Sequence, residues 1–469
     1  MTRFRRTIRR TRLSCFCFLP CDPSFERRAP PFVNTRRRSP KHTNPSRRDE
    51  IPSKLDRTAS TASSTGPFRT NGRTDDVPVS RRAFDSIKRG HPWIFRSATD
   101  QHSTSHADPR IVRLSALESG QPIGWGIWDP TSPIAVRVWS LDPGARLDAS
   151  LFRARLERAI EIRTRLFADG ATTAYRLLNG EGDRAPAFVI DRYADVAILR
   201  IDGDAARALA DDLLGEVEEP LRAFGITSFL ERTARRGEAP ELRARFGPLR
   251  DKVTVKEHGV PFVVDVAKGQ KTGAFLDQRE NRRRVGEIVG GRVRSGERTR
   301  VLNLFSYSGG FSLRAALAGG TVTSVDIAAG AHATAQESFR MAGVDPRAHS
   351  FATADCFAWL ERAKREGQTW DVVICDPPSF APSEKAKAKG LAAYRSLHRA
   401  CADVLAKGAT FLAASCSSHV TLEDFAGTLD DGALGRSDLR VLELFGPPPD
   451  HPTLPSFPEG RYLKLAVLE

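Results

Sequence analysis

Apolar and polar positions change their period several times along the 469 residues, and these changes predict how the chain is organised. Residues 1–76 have no sustained apolar period and are rich in Arg, Pro, Ser and Thr. A segment of this composition cannot bury enough apolar surface to offset its chain entropy. We therefore predict a disordered basic tail over 1–76.

Short apolar runs separated by Gly and Pro turn signals follow over residues 77–145. They predict strands at Ile111–Leu117, Gln121–Trp128 and Ile134–Ser140, after a short helix at Ala83–Arg89. This pattern indicates a small, mostly β domain.

Both periods alternate in residues 146–266, where an apolar stripe over 152–166 predicts a helix. The pattern further predicts strands at Ala187–Asp191, Val196–Ile201 and Ile226–Leu230, a helix at Ala205–Ala223, and a hairpin of Lys252–Glu257 with Pro261–Val266. We interpret this region as an α/β connecting domain without chemistry of its own.

Strands and helices alternate regularly over residues 267–469, which favours a mostly parallel sheet covered on both faces. The last two of its seven strands are joined by a Pro-rich loop too short for a helical crossover, so a final antiparallel hairpin is expected. This α/β layout is the Rossmann-like sheet of class I methyltransferases. The predicted strands are Arg300–Phe305, Thr321–Asp326, Ser350–Ala354, Asp371–Asp376, Thr410–Ser415, Leu439–Phe445 and Tyr462–Leu468.

Charge and cysteine content narrow the class of protein. The net charge is +15, but residues 1–50 carry fourteen Lys/Arg against four Asp/Glu, which leaves only +5 for the rest. The body is thus a mild hint of a nucleic-acid partner, while the tail could equally be a solvated arm, a transit peptide or a misassigned start. No run approaches the ~18 apolar residues that span a bilayer. The seven cysteines show neither a disulfide framework nor metal-ligand spacing, which favours a cytoplasmic protein without a metal site.

A turn rich in small residues follows the first strand of the predicted sheet, and an acidic residue, Asp326, ends the second strand. Two glycines let the turn approach a ligand closely, and a carboxylate at the second strand can accept both ribose hydroxyls of a nucleoside cofactor. The turn lacks the third glycine of dinucleotide sites and a phosphate-binding Gly-Lys-Ser, so S-adenosylmethionine is favoured over NAD or ATP. The candidate cofactor contacts in the turn are Phe305, Ser306, Tyr307 and Gly309.

The third and fourth strands also end on carboxylates. Asp355 could reach the adenine amino group, although it could equally cap the helix that follows. Asp376 begins the sequence Asp-Pro-Pro-Ser-Phe, in which two prolines stiffen the turn and direct the carboxylate into the site. A planar base could be held there, so Asp376 is a candidate for both cofactor binding and catalysis.

Cys416 ends the fifth strand, beside the strand of Asp376 in a normal winding. Methylating an unactivated pyrimidine carbon 5 requires a nucleophile at carbon 6, and a thiolate suits that role. Such a reaction needs the base out of any stack. From position alone a buried core cysteine is the alternative, and Cys375 is expected to be a core residue.

Several strings in the chain together resemble the bacterial large-subunit ribosomal RNA cytosine-5 methyltransferases that carry an N-terminal PUA domain. The resemblance runs from about Val79 to the C-terminus. The strings are Lys88–Trp93, Ser132–Arg137, Asn179–Asp183, Asp191–Tyr193, Gly269–Arg279, the Asp376-Pro-Pro turn, Ser415–Ser417 and Pro458–Lys464.

The resemblance implies that Cys416 is the nucleophile and that a PUA-like β-barrel docks RNA, most naturally large-subunit rRNA. It also implies a lid over the cofactor from Lys271 to Arg279, including Gln278, with Arg279 near a phosphate or the methionine carboxylate. A homodimer is a further open expectation. Residues 184–187 depart from the family pattern, and the tail lies outside it.

Two alternatives remain at this point. The same fold could methylate an RNA amino group, for which an Asp-Pro-Pro-aromatic turn is also suited and no covalent step is needed. The chain could also be a non-catalytic RNA-binding protein whose sheet only senses the cofactor.

Overall fold

The structure is a computed structural model that describes residues 75–99, 107–233 and 241–469. The predicted tail therefore lies outside the described residues, except for its last two positions. Within the described ranges, no helix is both long and apolar enough to cross a membrane.

A curled five-stranded sheet forms the first described region, in the order β1-β3-β4-β5-β2. An isolated bridge between Val79 and Thr99 joins the edge strand β1 to the segment after β2, so the sheet closes on itself like a barrel. Ser80 accepts a hydrogen bond from the Ala83 amide and begins the helix. The elements are β1 (Asp76–Val79), α1 (Arg81–Lys88), β2 (Trp93–Phe95), β3 (Arg110–Ala116), β4 (Pro122–Trp128) and β5 (Ile134–Ser140).

A second five-stranded sheet, ordered β10-β9-β8-β7-β6, packs with α2 in the middle region. The single helix predicted at Ala205–Ala223 is wrong, because Leu209 leaves the helical region (φ −101°, ψ 5°) and divides the segment. The elements are α2 (Ala149–Leu166), β6 (Ala174–Asn179), β7 (Phe188–Tyr193), β8 (Val196–Ile201), α3 (Asp204–Ala208), α4 (Ala210–Leu213), α5 (Glu218–Ala223), β9 (Ser228–Thr233) and β10 (Glu241–Phe246).

The predicted hairpin is present as β11 (Lys252–Glu257) and β12 (Val260–Asp265). Its turn residues His258 and Gly259 both have positive φ, 46° and 79°. Two positive φ values are those of the turn that matches the natural twist of a two-residue hairpin.

A seven-stranded sheet forms the C-terminal region, in the order β15-β14-β13-β16-β17-β19-β18. Only β19 runs antiparallel to its neighbours, which confirms the predicted Rossmann-like sheet with a final antiparallel hairpin. The elements are α6 (Arg279–Arg294), β13 (Arg300–Leu304), α7 (Gly310–Leu317), β14 (Thr321–Asp326), α8 (Ala329–Met341), β15 (Ser350–Thr353), α9 (Cys356–Arg365), β16 (Trp370–Cys375), α10 (Lys387–Ala402), β17 (Leu405–Ser415), α11 (Leu422–Ala426), α12 (Asp431–Leu434), β18 (Val441–Phe445) and β19 (Lys464–Leu468).

The predicted strands of this sheet agree with the structure to within two residues, apart from the start of β17. That strand begins at Leu405 rather than Thr410, because Leu405 pairs with Trp370 across an irregularity in the ladder. Apolar side chains from both faces of the sheet form two clusters, one beneath α9 and α10 and one beneath α6 and α7. Buried on both faces, the sheet holds the ends of its strands rigidly.

Candidate active site

The carboxyl ends of β14, β13, β16 and β17 lie side by side and open into one cavity. This is the edge at which doubly wound sheets bind ligands. The segment between β12 and α6 supplies a further wall of the cavity. Eight of the residues that the sequence singled out line it: Lys271, Gln278, Phe305, Ser306, Tyr307, Asp326, Asp376 and Cys416.

The turn after β13 is held in an unusual backbone conformation. Phe305 and Tyr307 have positive φ, 56° and 45°, which is costly for residues with a side chain and is typical of functional sites. The Tyr307 amide donates to Asp326 Oδ2 at 2.8 Å, and the Ala328 amide donates to Asp326 Oδ1 at 2.8 Å. These bonds fix the Asp326 carboxylate at the cavity.

Gly309 shapes the turn from behind and does not line the cavity. Its φ is +74°, and a Cβ there would lie 2.7 Å from the Cβ of Ala335 on α8. Only glycine therefore lets α7 begin where it does and brings the turn close to a ligand.

The nucleoside portion of S-adenosylmethionine fits these residues. Asp326 offers carboxylate oxygens to ribose hydroxyls, and Ile327 beside it is 75% exposed at the cavity as an apolar surface. Ser306 Oγ is buried without a hydrogen-bond partner among the described residues. An unpartnered buried hydroxyl is costly unless a ligand completes it.

Two predicted cofactor contacts lie elsewhere. Asp355 accepts the Ala358 amide at 2.9 Å as the N-cap of α9, and it does not line the cavity. Arg279 is buried, forms a two-point pair with Asp450 (3.0 and 2.8 Å) and contacts Glu280. Because its charge is already neutralised, the structure does not support the expected contact of Arg279 with a phosphate or the methionine carboxylate.

The predicted lid is anchored from the middle region. Thr272 donates to Asp191 Oδ2 at 2.5 Å and lies 2.8 Å from the Tyr193 hydroxyl. Tyr307 accepts the Gln270 amide at 2.6 Å, which ties the same segment to the turn after β13. The connecting domain therefore positions the lid, although it contributes no side chain to the cavity before Glu257.

Within the lid, Asp277 collects two donors on one oxygen. Lys271 Nζ donates to Asp277 Oδ2 at 2.8 Å, and the Tyr462 hydroxyl donates to the same oxygen at 2.6 Å. Burial alone would raise the pKa of Asp277, but the Lys271 charge and these hydrogen bonds hold it well below its usual range. Asp277 Oδ1 is buried with no partner in the described part of the chain.

Asp376 follows β16 directly and has the opposite electrostatic character. Burial, reinforced by the nearby Asp277 carboxylate, raises its pKa to about 7, although Lys271 and Arg282 oppose the shift. Gln278 Nε2 donates to Asp376 Oδ2 at 2.9 Å. At neutral pH a large share of this carboxyl is protonated, so it can donate as well as accept.

Cys416 lies next to the Asp376 turn, and its thiol is 4.0 Å from the Pro377 carbonyl. It is partly exposed, whereas Cys356, Cys375 and Cys401 are buried. Burial and the Asp376 charge raise the pKa of Cys416 to about 11. Cys375 lies in the core as expected.

The loop that carries Cys416 is fixed by buried polar contacts. Lys464 Nζ donates to the carbonyls of Ser417 (2.9 Å), Val420 (2.7 Å) and Tyr462 (2.8 Å). Tyr394, from α10, contacts the hydroxyls of Ser415 and Ser417 at 3.0 Å each. Such networks hold a nucleophile in one position.

Sequence reasoning missed the roles of Asp277, Tyr462 and Lys464 in this site. Asp277 and the other two lie within strings that carried the family resemblance, 269–279 and 458–464. Their position in those strings was the available signal, because no local rule predicts that a tyrosine 185 residues away donates to Asp277.

The strings quoted for the resemblance also meet in space away from the cavity. Trp93 Nε1 donates to Glu181 Oε1 at 2.8 Å, and Arg137 contacts the same carboxylate. The Trp93 ring packs against Phe457 with centroids 4.6 Å apart. The first domain is thereby joined to the middle region and to the loop before β19.

Comparison with known families and proteins agrees with this architecture. A family described as S-adenosylmethionine-dependent methyltransferase matches residues 227–460, and one described as PUA-like domain matches 77–141. The ribosomal RNA large subunit methyltransferase of Deinococcus radiodurans is 36% identical over 403 residues, 83% of this chain and 96% of the relative. The ribosomal RNA large subunit methyltransferase I of Shewanella denitrificans is 33% identical over 387 residues, 81% and 95% of the two chains.

Solved structures show the same fold. A Streptococcus mutans protein assigned as a SAM-dependent methyltransferase has a TM-score of 0.73 at 23% identity, covering 84% of this chain and 99% of that one. A methyltransferase structure complexed with S-adenosylhomocysteine has a TM-score of 0.74 with the same identity and coverage.

The cofactor is therefore S-adenosylmethionine, as the turn after β13 and Asp326 predicted. The similarity to the curated relatives extends over both the first domain and the C-terminal sheet. The chain belongs to the family of S-adenosylmethionine-dependent methyltransferases that includes the ribosomal RNA large subunit methyltransferases, with a PUA-like domain ahead of its methyltransferase sheet.

Proposed function

We propose that the chain methylates carbon 5 of a cytosine in large-subunit ribosomal RNA, with Cys416 as a covalent nucleophile and Asp376 as the group that binds the ring nitrogen. The observation that carries this proposal is the position of Cys416. Among the described cysteines it is the one that lines the cavity, and it lies beside the Asp376-Pro377 turn.

RNA as substrate is supported by the names of the relatives and by the PUA-like domain. The substrate base would enter between Cys416 and Asp376, while the nucleoside of the cofactor occupies the side of Asp326. Phe305, Ser306, Tyr307 and Asp326 are proposed as cofactor contacts. A homodimer and a cytoplasmic location stay predictions.

The proposed chemistry begins when the Cys416 thiolate bonds to carbon 6 of the ring. The displaced electron pair moves through carbon 5 and carbon 4 to the ring nitrogen, where a protonated Asp376 supplies the proton. A pKa of about 7 suits this exchange, because the carboxyl can both give and recover a proton at neutral pH. When bound, S-adenosylmethionine supplies the electrophilic methyl group. Loss of the carbon 5 proton and expulsion of the thiolate then restore the aromatic ring.

A covalent trap tests this function. RNA containing 5-fluorocytidine cannot lose a proton from carbon 5, so it should accumulate as an adduct with the wild-type chain. Cys416→Ala should form no adduct and lose methyl transfer to ordinary RNA. Cys401→Ala is the matched control, since Cys401 is buried in the core and does not line the cavity.

The alternatives predict different results. If Cys416→Ala keeps methyl transfer, the acceptor is an amino nitrogen and the covalent mechanism is wrong. If the wild-type chain binds the cofactor but transfers no label to RNA lacking the modification, the enzymatic proposal itself is wrong.

A further inference from the structure

A thiolate at Cys416 would add negative charge to a site that already holds two carboxyl groups. Asp376 and Asp277 both raise the pKa of Cys416, after burial itself. The charged groups around the thiol are therefore Asp376 at the end of β16, Asp277 and Lys271 on the lid, and Lys464 beneath the loop. Of these, the cations decide whether the thiolate can form.

Lys464 is committed to its loop. All three of its donated hydrogen bonds go to backbone carbonyls, and its burial lowers its pKa to about 8. Its contacts explain how the Cys416 loop is held. A lysine in this state is a weaker source of positive charge than one paired with a carboxylate.

Two arginines that line the cavity are also neutralised. Arg282 binds Glu257 with Nη2 to Oε2 at 2.5 Å, and Arg314 lies 3.7 Å from the other oxygen of Glu257. Both stand on the side of β11 and α7, on the wall opposite to the Asp376 turn in sequence order of the sheet. Lys271 is the cavity-lining cation whose charge lowers the pKa of both Cys416 and Asp376.

Lys271 is held where it stands by strained and anchored backbone. Its φ is +52°, a left-handed conformation that a lysine adopts only when its surroundings require it. The neighbouring Gln270 amide is bound by Tyr307 and the Thr272 hydroxyl by Asp191. Its ammonium is bound by Asp277 and lies 4.4 Å from the Phe275 ring centroid, while its side chain stays 30% exposed.

We propose that the Lys271 ammonium is the counter-charge of the Cys416 thiolate, with Asp277 and Tyr462 as the residues that position it. This assigns Lys271 to the nucleophile rather than to the cofactor. It rests on the proposed function in one respect, that Cys416 is the nucleophile. Asp277 keeps Lys271 charged, and Tyr462 takes up part of the Asp277 charge so that the ammonium is not fully neutralised.

The test measures the thiol rather than methyl transfer. The full-length chain is alkylated with iodoacetamide across pH 6 to 10, and the Cys416 peptide is quantified by mass spectrometry. Lys271→Met and Lys271→Gln should both shift the alkylation profile of Cys416 upward by about one pH unit, which slows alkylation about tenfold below the midpoint. Lys271→Arg should restore most of the rate.

Lys268→Met is the matched control, because Lys268 is an exposed lysine on the same segment. Lys271→Gln keeps a donor for Asp277, so it remains informative if the Met variant fails to fold. A profile for both neutral variants that coincides with Lys268→Met would overturn the proposal. The proposed function fails separately, if Cys416→Ala retains methyl transfer whatever the alkylation profile.

Discussion

Two walls of the cavity each present one carboxyl group, and their chemical states are opposite. On the lid, Asp277 is held ionised by Lys271 and Tyr462; at the end of β16, Asp376 has its pKa raised to about 7. Burial acts in the same direction on both. The difference shows that partners rather than burial decide the state of a carboxyl here, and that each charge helps to set the other, since Asp277 is among the causes of the shift at Asp376.

The largest expected effect comes from Asp376→Asn. An amide cannot supply and recover the ring-nitrogen proton, so methyl transfer should fall by about 10²–10⁴-fold. Initial rates of label transfer to RNA measure this. Asp355→Asn is the control, since asparagine caps a helix as well as aspartate does and the rate should not change.

The same Asp376→Asn variant should be more stable than the wild type at high pH. Its folded pKa of about 7 lies above the model value of 3.8, so the wild type is stabilised by protonation at low pH and loses that stability as pH rises to 7. At about 1.4 kcal/mol per pKa unit, the variant gains at most about 4 kcal/mol at pH 8 and almost nothing at pH 4. Urea unfolding at the two pH values measures it. An equal difference at both would contradict the raised pKa.

Asp277→Asn should shift stability the other way. It leaves Lys271 without its carboxylate, which we expect to cost about 2 kcal/mol, below the ~3–5 kcal/mol of a fully buried pair because Lys271 is 30% exposed. Because the folded pKa of Asp277 is depressed, this loss should persist from pH 5 to 9 and fade only in acid. Unfolding of Asp355→Asn under the same conditions provides the reference. A stabilised Asp277→Asn variant would remove the contrast between the two walls.

Tyr462→Phe should have the smallest effect. It removes one of the two donors to Asp277 Oδ2 and keeps the ring, so a destabilisation of about 1–2 kcal/mol is expected. Thermal unfolding measures it. No change would mean that Lys271 alone holds Asp277.

Much of the site could be predicted from the chain. Asp326, Asp376 and Cys416 each follow a strand with a clear apolar pattern, and parallel strands bring such positions to one edge. Gly309 was expected from its turn, and its positive φ explains why glycine is needed there. These inferences use only local rules and the winding of the sheet.

Arg279 and Asp277 could not be read in the same way. The partner of Arg279 is Asp450, 171 residues away, and one partner of Asp277 is Tyr462, 185 residues away. The prediction for Arg279 therefore assumed a ligand where the fold supplies a carboxylate. No local pattern indicates which of two neighbouring lid residues is committed to the core.

The sequence by itself determined the order of strands and helices, the antiparallel final hairpin and the residues that end each strand, because apolar period and turn chemistry are local properties. Only the tertiary structure decided which of those polar groups share a cavity and in what state of charge. That state depends on desolvation and on partners far apart in the chain, and so Asp277 and Asp376, of one residue type in one cavity, differ in protonation.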